Sequence, residues 1–327
     1  VWRVAADPVR NLLARWDAYW YLAIATRGYR WNGNPLEQQN VVFFPLYPLL
    51  MRAAGPIVGG HPLLAGLLIS LAAFAIALAY LHRWIAEEFG DDTAAGSVLL
   101  LSAFPFSIFF SAVYTESLFL LTVVAAFYHA HRRELVMAAI FGLFAGLVRP
   151  NGCLLAVPLA WMLFVTDPDR RSAILQRSAA AAAPLAGMLL YAAYLGLAVG
   201  SPLAWIEGQA AWPTIAPWGQ EAGAAASAVT SARTRDLVIY GGNALSLLLA
   251  IAALLPVSRL VGVAYALFIA LTIVPPVARH GLQSLGRFTS VLFPIFVWLA
   301  IVLRGRPRFW VVVVFAIGIG FIVSGAR

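Results

Sequence analysis

From residue 62 onward the chain is a succession of long apolar runs separated by short polar turns. The runs lie at about 62–82, 94–111, 114–130, 135–148, 152–166, 174–199, 237–256, 260–278, 285–303 and 309–325. They predict helices that lie in a bilayer, whose hydrocarbon core takes roughly 20 residues per helix. The runs 135–148 and 152–166 are short for that, so the turn Arg149-Pro150-Asn151-Gly152 is expected within membrane depth, lining a cavity. Residues 1–40 read differently, as polar and aromatic sequence broken by Gly28, Gly33 and Pro35. Residues 41–60 are apolar, yet Pro45, Pro48 and Pro56 interrupt them and Arg52 adds a charge. That suits a re-entrant or interfacial segment. No internal repeat is evident, and Ala179–Ala183 is a low-complexity run that packs or faces lipid. The pattern predicts one all-α, polytopic membrane domain over 1–327 with about 10 to 11 transmembrane helices. Residues 1–61 form its first outer loop and 200–236 its second.

Composition settles the class. Hydrophobic residues make up 62% of the 327 and charged residues 11%, against roughly 25% charged in soluble domains. The mean hydropathy is +0.85. A net charge of +8 would suggest nucleic acid in a soluble protein. Here every basic residue is Arg and none is Lys, which points to an Ala- and Arg-rich, bacterial type of genome and to lipid phosphates as partners, with no nucleic acid expected. The single Cys153 excludes an intramolecular disulfide and is expected to pack, and no Cys/His metal spacing occurs. The chain opens at Val1 without a signal-peptide pattern, so further sequence, a first helix included, is expected ahead of it.

Alternating spans put Arg83, Arg132, Arg133, Arg170, Arg171, Arg177, Arg259, Arg304, Arg306 and Arg308 in turns on one side. The positive-inside rule makes that side cytoplasmic. The carboxylates Glu87, Glu88, Asp91, Asp92, Glu134, Asp167 and Asp169 fall in the same turns and are expected to be solvated. The Asp17 region, Tyr114-Thr115-Glu116-Ser117, Arg149-Pro150-Asn151-Gly152, the 200–236 loop and Arg279-His280 then gather on the other, non-cytoplasmic face.

The candidate chemistry lies in that gathering. Arg15-Trp16-Asp17-Ala18-Tyr19-Trp20-Tyr21 sets one carboxylate among aromatic rings beside a guanidinium. Its neighbours can tune its basicity, as a general base requires; an aromatic belt with an interfacial Arg–Asp pair is the other reading. Glu116 stands in strongly apolar sequence, where a charge costs on the order of 2.5–3.5 kcal/mol and is usually paired. It either satisfies free N–H groups at a helix start, with Thr115 or Tyr114 near the cap, or touches substrate. Arg149 has no acid nearby in sequence. It can pair with Glu116 or Asp17, hold an anionic head group through its planar fork, or snorkel to the interface. Asn151 adds a neutral donor and acceptor. Arg279, His280 and Arg287 surround a short turn and make a second cationic spot, for phosphate recognition or lipid anchoring. Trp205, Trp212 and Trp218 in the second loop suit an interfacial lid, a stacking surface for a sugar face, or a membrane anchor.

Taken in order, these stretches resemble a known family. Arg15-Trp16-Asp17-Ala18-Tyr19-Trp20-Tyr21-Leu22-Ala23-Ile24-Ala25-Thr26-Arg27-Gly28-Tyr29 followed by Phe43-Phe44-Pro45-Leu46-Tyr47-Pro48 is similar to the first luminal loop of PIG-V mannosyltransferases. Ser111-Ala112-Val113-Tyr114-Thr115-Glu116-Ser117-Leu118-Phe119, Arg149-Pro150-Asn151-Gly152, and Arg287-Phe288 ahead of Phe293-Pro294 also resemble that family's motifs. The resemblance implies a GT-C-type helical bundle that takes a sugar from a polyprenyl-phosphate carrier on the non-cytoplasmic face. It implies an Asp base in the first outer loop, which is Asp17 here. Basic residues would hold the donor phosphate, the candidates being Arg149, Arg279, His280 and Arg287. Only Arg149 and Arg287 of these stand within matching motifs. Arg15, Trp16, Tyr19, Glu116 and Asn151 complete the expected substrate contacts.

The function expected is transfer of mannose or a similar hexose to a lipid-linked or cell-wall glycan acceptor, in a bacterial plasma membrane, with inversion and without a cofactor. A divalent ion at Asp17 and Glu116 has no support from ligand spacing. The alternative is a lipid-linked sugar flippase that uses the same residues for binding alone. Transporters often repeat interrupted helices in both halves; here the interruptions at 41–60 and 149–152 have no later counterpart, which favours the enzyme.

Overall fold

The computed structural model describes residues 17–165, 173–212, 234–305 and 307–325. Among the described residues all regular structure is helical. In chain order the α-helices are α1 (Ala18–Arg27), α2 (Leu46–Ala54), α3 (Pro62–Phe89), α4 (Asp91–Ala103), α5 (Glu116–His131), α6 (Leu135–Val148), α7 (Ala156–Phe164), α8 (Ile174–Val199), α9 (Ala204–Glu207), α10 (Thr234–Leu260), α11 (Val263–His280), α12 (Leu285–Ser290), α13 (Phe293–Val302) and α14 (Pro307–Gly325). Short 3-10 stretches occupy Asn40–Val42, Gly55–Val58, Pro105–Ser111, Pro150–Leu155 and Gly208–Ala211.

Every expected run holds a helix; two expected spans are interrupted and one expected turn forms, each near a proline. Phe104 precedes Pro105 and turns extended (φ −57°, ψ 137°), so α4 stops and the 3-10 stretch behind it leaves at 84°. Arg149 precedes Pro150 and is extended too (φ −150°, ψ 152°). The proline ring clashes with a helical conformation in the residue before it. The expected 285–303 span divides into α12 and α13, the latter opening with Pro294 in its first turn, where a missing N–H costs nothing. Among the described residues, three helices are long and apolar enough to cross a membrane, at Pro62–Phe89, Ile174–Val199 and Gly241–Leu260, or four spans if the bent pair counts as one. The remaining apolar helices are shorter, so length alone gives fewer than the 10 to 11 spans expected.

The long helices carry outward apolar stripes. On α10, Leu245, Leu248, Ile251 and Leu255 are all more than half exposed, at spacings that keep them on one side. Soluble proteins rarely leave such faces uncovered. Lipid satisfies them, and the chain is an integral membrane protein.

The chain packs as two compact units, Val1–Ala77 with Phe109–Pro213 and Leu78–Ile108 with Thr214–Arg327. In the first, α5 is buried at nearly every position, and α6 packs against it and against α8. The α6–α8 approach is backbone on backbone. A Cβ on Gly146 would stand 2.0 Å from the Pro184 carbonyl oxygen, and one on Gly187 2.2 Å from that of Leu143. Gly142 and Gly146 form the small-residue spacing that lets membrane helices touch. Over one end of α8, Val41, Val42, Phe44, Tyr191, Leu195 and Ala204 make a buried cluster joined by Trp205 and Trp212. The Tyr191 hydroxyl donates to the Val41 carbonyl at 2.7 Å. The described parts of segments 1–61 and 200–236 thus pack together.

In the second unit, α4 lies against α13 and α14. Arg308, 9% exposed, donates to both carboxylate oxygens of Asp92 at 2.9 Å and to the Ala300 carbonyl at 2.8 Å. A Cβ on Gly96 would meet the same guanidinium at 2.8 Å. Three of the turn carboxylates are paired as well as solvated: Asp92 binds Arg308, Glu87 binds Arg83 (3.2 Å), and Glu134 in the first unit binds His129 (2.5 Å) and Arg132 (3.1 Å), while Glu88 and Asp91 are exposed as expected. Asp167 and Asp169 lie outside the described residues.

Candidate active site

Asp17 opens α1. Its backbone is already helical (φ −64°, ψ −21°), its carbonyl starts the helix by accepting from Trp20 and Tyr21, and its carboxylate makes no capping bond. Gly28 ends the helix with φ +78°, a left-handed conformation that glycine tolerates best. Residues three and four positions on share the face of the opening residue, so Trp20 and Tyr21 flank Asp17.

On the Tyr21 side lies a buried polar cluster. The Tyr21 hydroxyl bonds the Thr115 hydroxyl at 3.3 Å, and Arg149 Nε donates to the same Thr115 oxygen at 2.7 Å. The Arg149 guanidinium is ion-paired with Glu116 and stands 5.5 Å from the Phe119 ring centre. Glu116 has no exposed surface, Thr115 has 1% and Arg149 7%. The Asp17 N–H donates to the Tyr114 hydroxyl at 3.2 Å. The Tyr114 carbonyl accepts from Ser70 (3.2 Å), which is bonded to the Tyr47 hydroxyl (2.8 Å). Burial pushes the Tyr21 phenol far above its ordinary range. The Asp17 and Glu116 charges act in the same direction and Arg149 opposes them, so all three charges are felt at one hydroxyl.

On the Trp20 side the surroundings are aromatic. Trp20 stacks on Phe43 with ring centres 5.8 Å apart, and Trp212 meets both edge-on at 5.9 and 5.5 Å. Tyr19 lies edge-on to Trp20, and its hydroxyl accepts from Arg27 at 3.3 Å. A carboxylate on a helix that meets the buried Thr115–Arg149–Glu116 cluster through Tyr21 and an aromatic wall through Trp20 is suited to proton transfer at a polar substrate.

Proline chemistry brings Arg149 here. Extended at the end of α6, it leaves the helix axis, and the 3-10 turn behind it folds back so closely that a Cβ on Gly152 would stand 2.0 Å from the Ala145 carbonyl oxygen. Asn151, half-buried, sits in that turn. Of the partners open to Arg149 in the sequence, the structure selects Glu116. Glu116 begins α5 as foreseen, with its charge directed to Arg149.

Asp17, Tyr19, Glu116, Arg149 and Asn151 all belong to the first unit. Arg15 and Trp16, like Trp218, lie outside the described residues. Arg279, His280 and Arg287 belong to the second unit. There Arg279 and Arg287 are half-buried, and the Arg287 guanidinium stands 5.2 Å from the Phe288 ring centre. The α12 start is pinned by Asn243, which accepts the Gly286 N–H at 2.7 Å. Tyr21, Tyr47, Ser70 and Asn243 were not singled out as site residues from sequence, and Tyr114 and Thr115 only as helix-cap candidates. Their signal was a hydroxyl or amide set within apolar surroundings, weaker than a charge.

The chain matches the model of the family described as Mannosyltransferase (PIG-V) over residues 3–180, more than half its length. No curated protein and no solved structure matches it. The matched stretch holds Asp17 and the whole Thr115–Glu116–Arg149 cluster and stops short of Arg279 and Arg287. The chain belongs to the PIG-V mannosyltransferase family and is a membrane glycosyltransferase.

Proposed function

We propose that the protein transfers mannose, or a similar hexose, from a polyprenyl-phosphate carrier to a hydroxyl of a lipid-linked or cell-wall glycan, on the non-cytoplasmic face of a bacterial plasma membrane, within a GT-C-type bundle. The observation that carries this reading is the place of Asp17: its N–H is bonded to Tyr114, and the helix it opens carries Tyr21 onto the buried Thr115–Arg149–Glu116 cluster, within the stretch that matches the mannosyltransferase family.

In the reaction Asp17 takes the proton of the acceptor hydroxyl as its oxygen attacks the anomeric carbon. The bond from that carbon to the phosphate oxygen breaks, its electron pair leaves with polyprenyl phosphate, and attack from the opposite face inverts the configuration. Guanidinium groups neutralise the charge that grows on the phosphate. Arg149 does so from within the Asp17 unit, while Arg279, His280 and Arg287 are the further candidates. The scheme uses no metal.

The test is transfer of radiolabelled sugar from polyprenyl-phosphate-mannose, in nanodiscs, to an extract of native lipids. Wild type should form labelled product, and folded Asp17→Asn should lose about 10²- to 10⁴-fold in rate, the usual contribution of a positioned base. Equal rates would remove Asp17 from the chemistry. If neither forms product while both move the carrier across the bilayer, the protein is a flippase.

A further inference from the structure

Thr115 touches two parts of the site at once. A threonine oxygen has two acceptor positions and one proton. One acceptor position takes Arg149 Nε–H at 2.7 Å, and the remaining capacity bonds the Tyr21 hydroxyl at 3.3 Å. Tyr21 stands one turn along the helix that Asp17 opens, so its ring fixes the rotation of α1. The preceding residue, Tyr114, receives the Asp17 N–H, and its own backbone is tied through Ser70 to Tyr47. Two consecutive residues therefore hold the first turn of α1 from both ends. Both are buried, where a hydrogen bond keeps its geometry against water.

We infer that Thr115 is a positioning residue: its hydroxyl is a strut joining Arg149 to Tyr21, and it sets where the Asp17 carboxylate stands relative to the Arg149 guanidinium. The inference rests on Asp17 being the base. Loss of the strut moves the Asp17 carboxylate relative to the Arg149 guanidinium, so the effect falls mainly on kcat. Misplacement of reacting groups by about 1 Å can cost about a hundredfold in rate.

The experiment compares Thr115→Val, which keeps the shape and removes the hydroxyl, with Thr115→Ser, which keeps the hydroxyl. In full-length protein with unchanged elution and thermal midpoint, Thr115→Val should lower kcat by about 10- to 100-fold. KM for the acceptor should stay within about twofold, and Thr115→Ser should restore kcat. A wild-type kcat in Thr115→Val, or a Thr115→Ser protein as impaired as Thr115→Val, would overturn the strut.

A second measurement needs no activity. Cys153 is the only cysteine, so in a Cys153→Ala background Asp17→Cys places one thiol at position 17. Its rate of alkylation by a small maleimide should change severalfold when Thr115→Val is added and hold when Thr115→Ser is added. Equal rates in all three proteins would overturn the inference. Absence of transfer by the wild type would overturn the proposed reaction alone, because the alkylation rates judge the strut independently.

Discussion

Glu116 and Arg149 are the two charges that the interior of the first unit can least tolerate apart. Removing one partner of a buried ion pair strands the other, at a cost on the order of 3–5 kcal/mol. Arg149→Met and Glu116→Gln should each lower the thermal midpoint in detergent sharply. The double variant should recover most of that stability, since two neutral groups leave no stranded charge. Its activity should stay low if the guanidinium also neutralises the leaving phosphate, so stability and rate would separate. Recovery of both together would reduce Arg149 to a structural role. These two residues were legible in the sequence because a charge in apolar surroundings demands an explanation. Asp17 was legible for the same reason, helped by its aromatic neighbours. The hydroxyls that connect them were not, because a tyrosine or threonine in an apolar run satisfies itself on any nearby carbonyl, and only three-dimensional packing shows which ones converge.

Helix contacts depend on close backbone approach, and the glycines grade the consequence. On α6 a Cβ at Gly146 would meet the Pro184 carbonyl oxygen at 2.0 Å, whereas one at Gly142 would meet only the Pro184 ring at 3.2 Å. Gly146→Ala should therefore destabilise by about 1–3 kcal/mol, the range for overpacking, with Gly142→Ala well below it. Equal thermal midpoints for the two variants would mean that α6 and α8 do not sit this close. At the other unit's helix contact the Arg308 hydrogen bonds hold the Asp92 carboxyl below its ordinary value of 3.8. A depressed folded value means that the linkage stabilises fully above 3.8 and is lost as the pH falls through the lower, folded value. The thermal midpoint should drop across that acid window in wild type and lose that component in Asp92→Asn. The runs of apolar sequence foretold the helices and the turn at Arg149–Gly152, and Pro105 in hindsight marks where α4 stops. The Asp92–Arg308 clamp was hidden, because both residues fall in turns where solvated charge is the ordinary expectation.

For the molecule as a whole, the strongest constraint is the one long helix that separates the first outer loop from the first arginine-bearing turn. Pro62–Phe89 has 28 residues, about 42 Å at 1.5 Å per residue, which exceeds the roughly 30 Å of a hydrocarbon core. Gln38 and His82, both exposed, lie before it and near its far end, and the helix between them is apolar enough to cross. α2 does not alter this parity: it has 9 residues, too few to cross, and exposes Leu49 and Leu50 beside Arg52 while burying Tyr47 and Met51, as an interfacial helix does. With Arg83 beside His82, the positive-inside rule predicts that end to be cytoplasmic. In a Cys153→Ala background, a membrane-impermeant maleimide should label Gln38→Cys in intact cells and His82→Cys only after permeabilisation. Labelling in the reverse order would turn the Asp17 loop toward the cytoplasm and remove the topological ground for a polyprenyl-phosphate donor. Labelling of both in intact cells would mean that Pro62–Phe89 does not cross at all, and the outer-face assignment of Asp17 would fall with it.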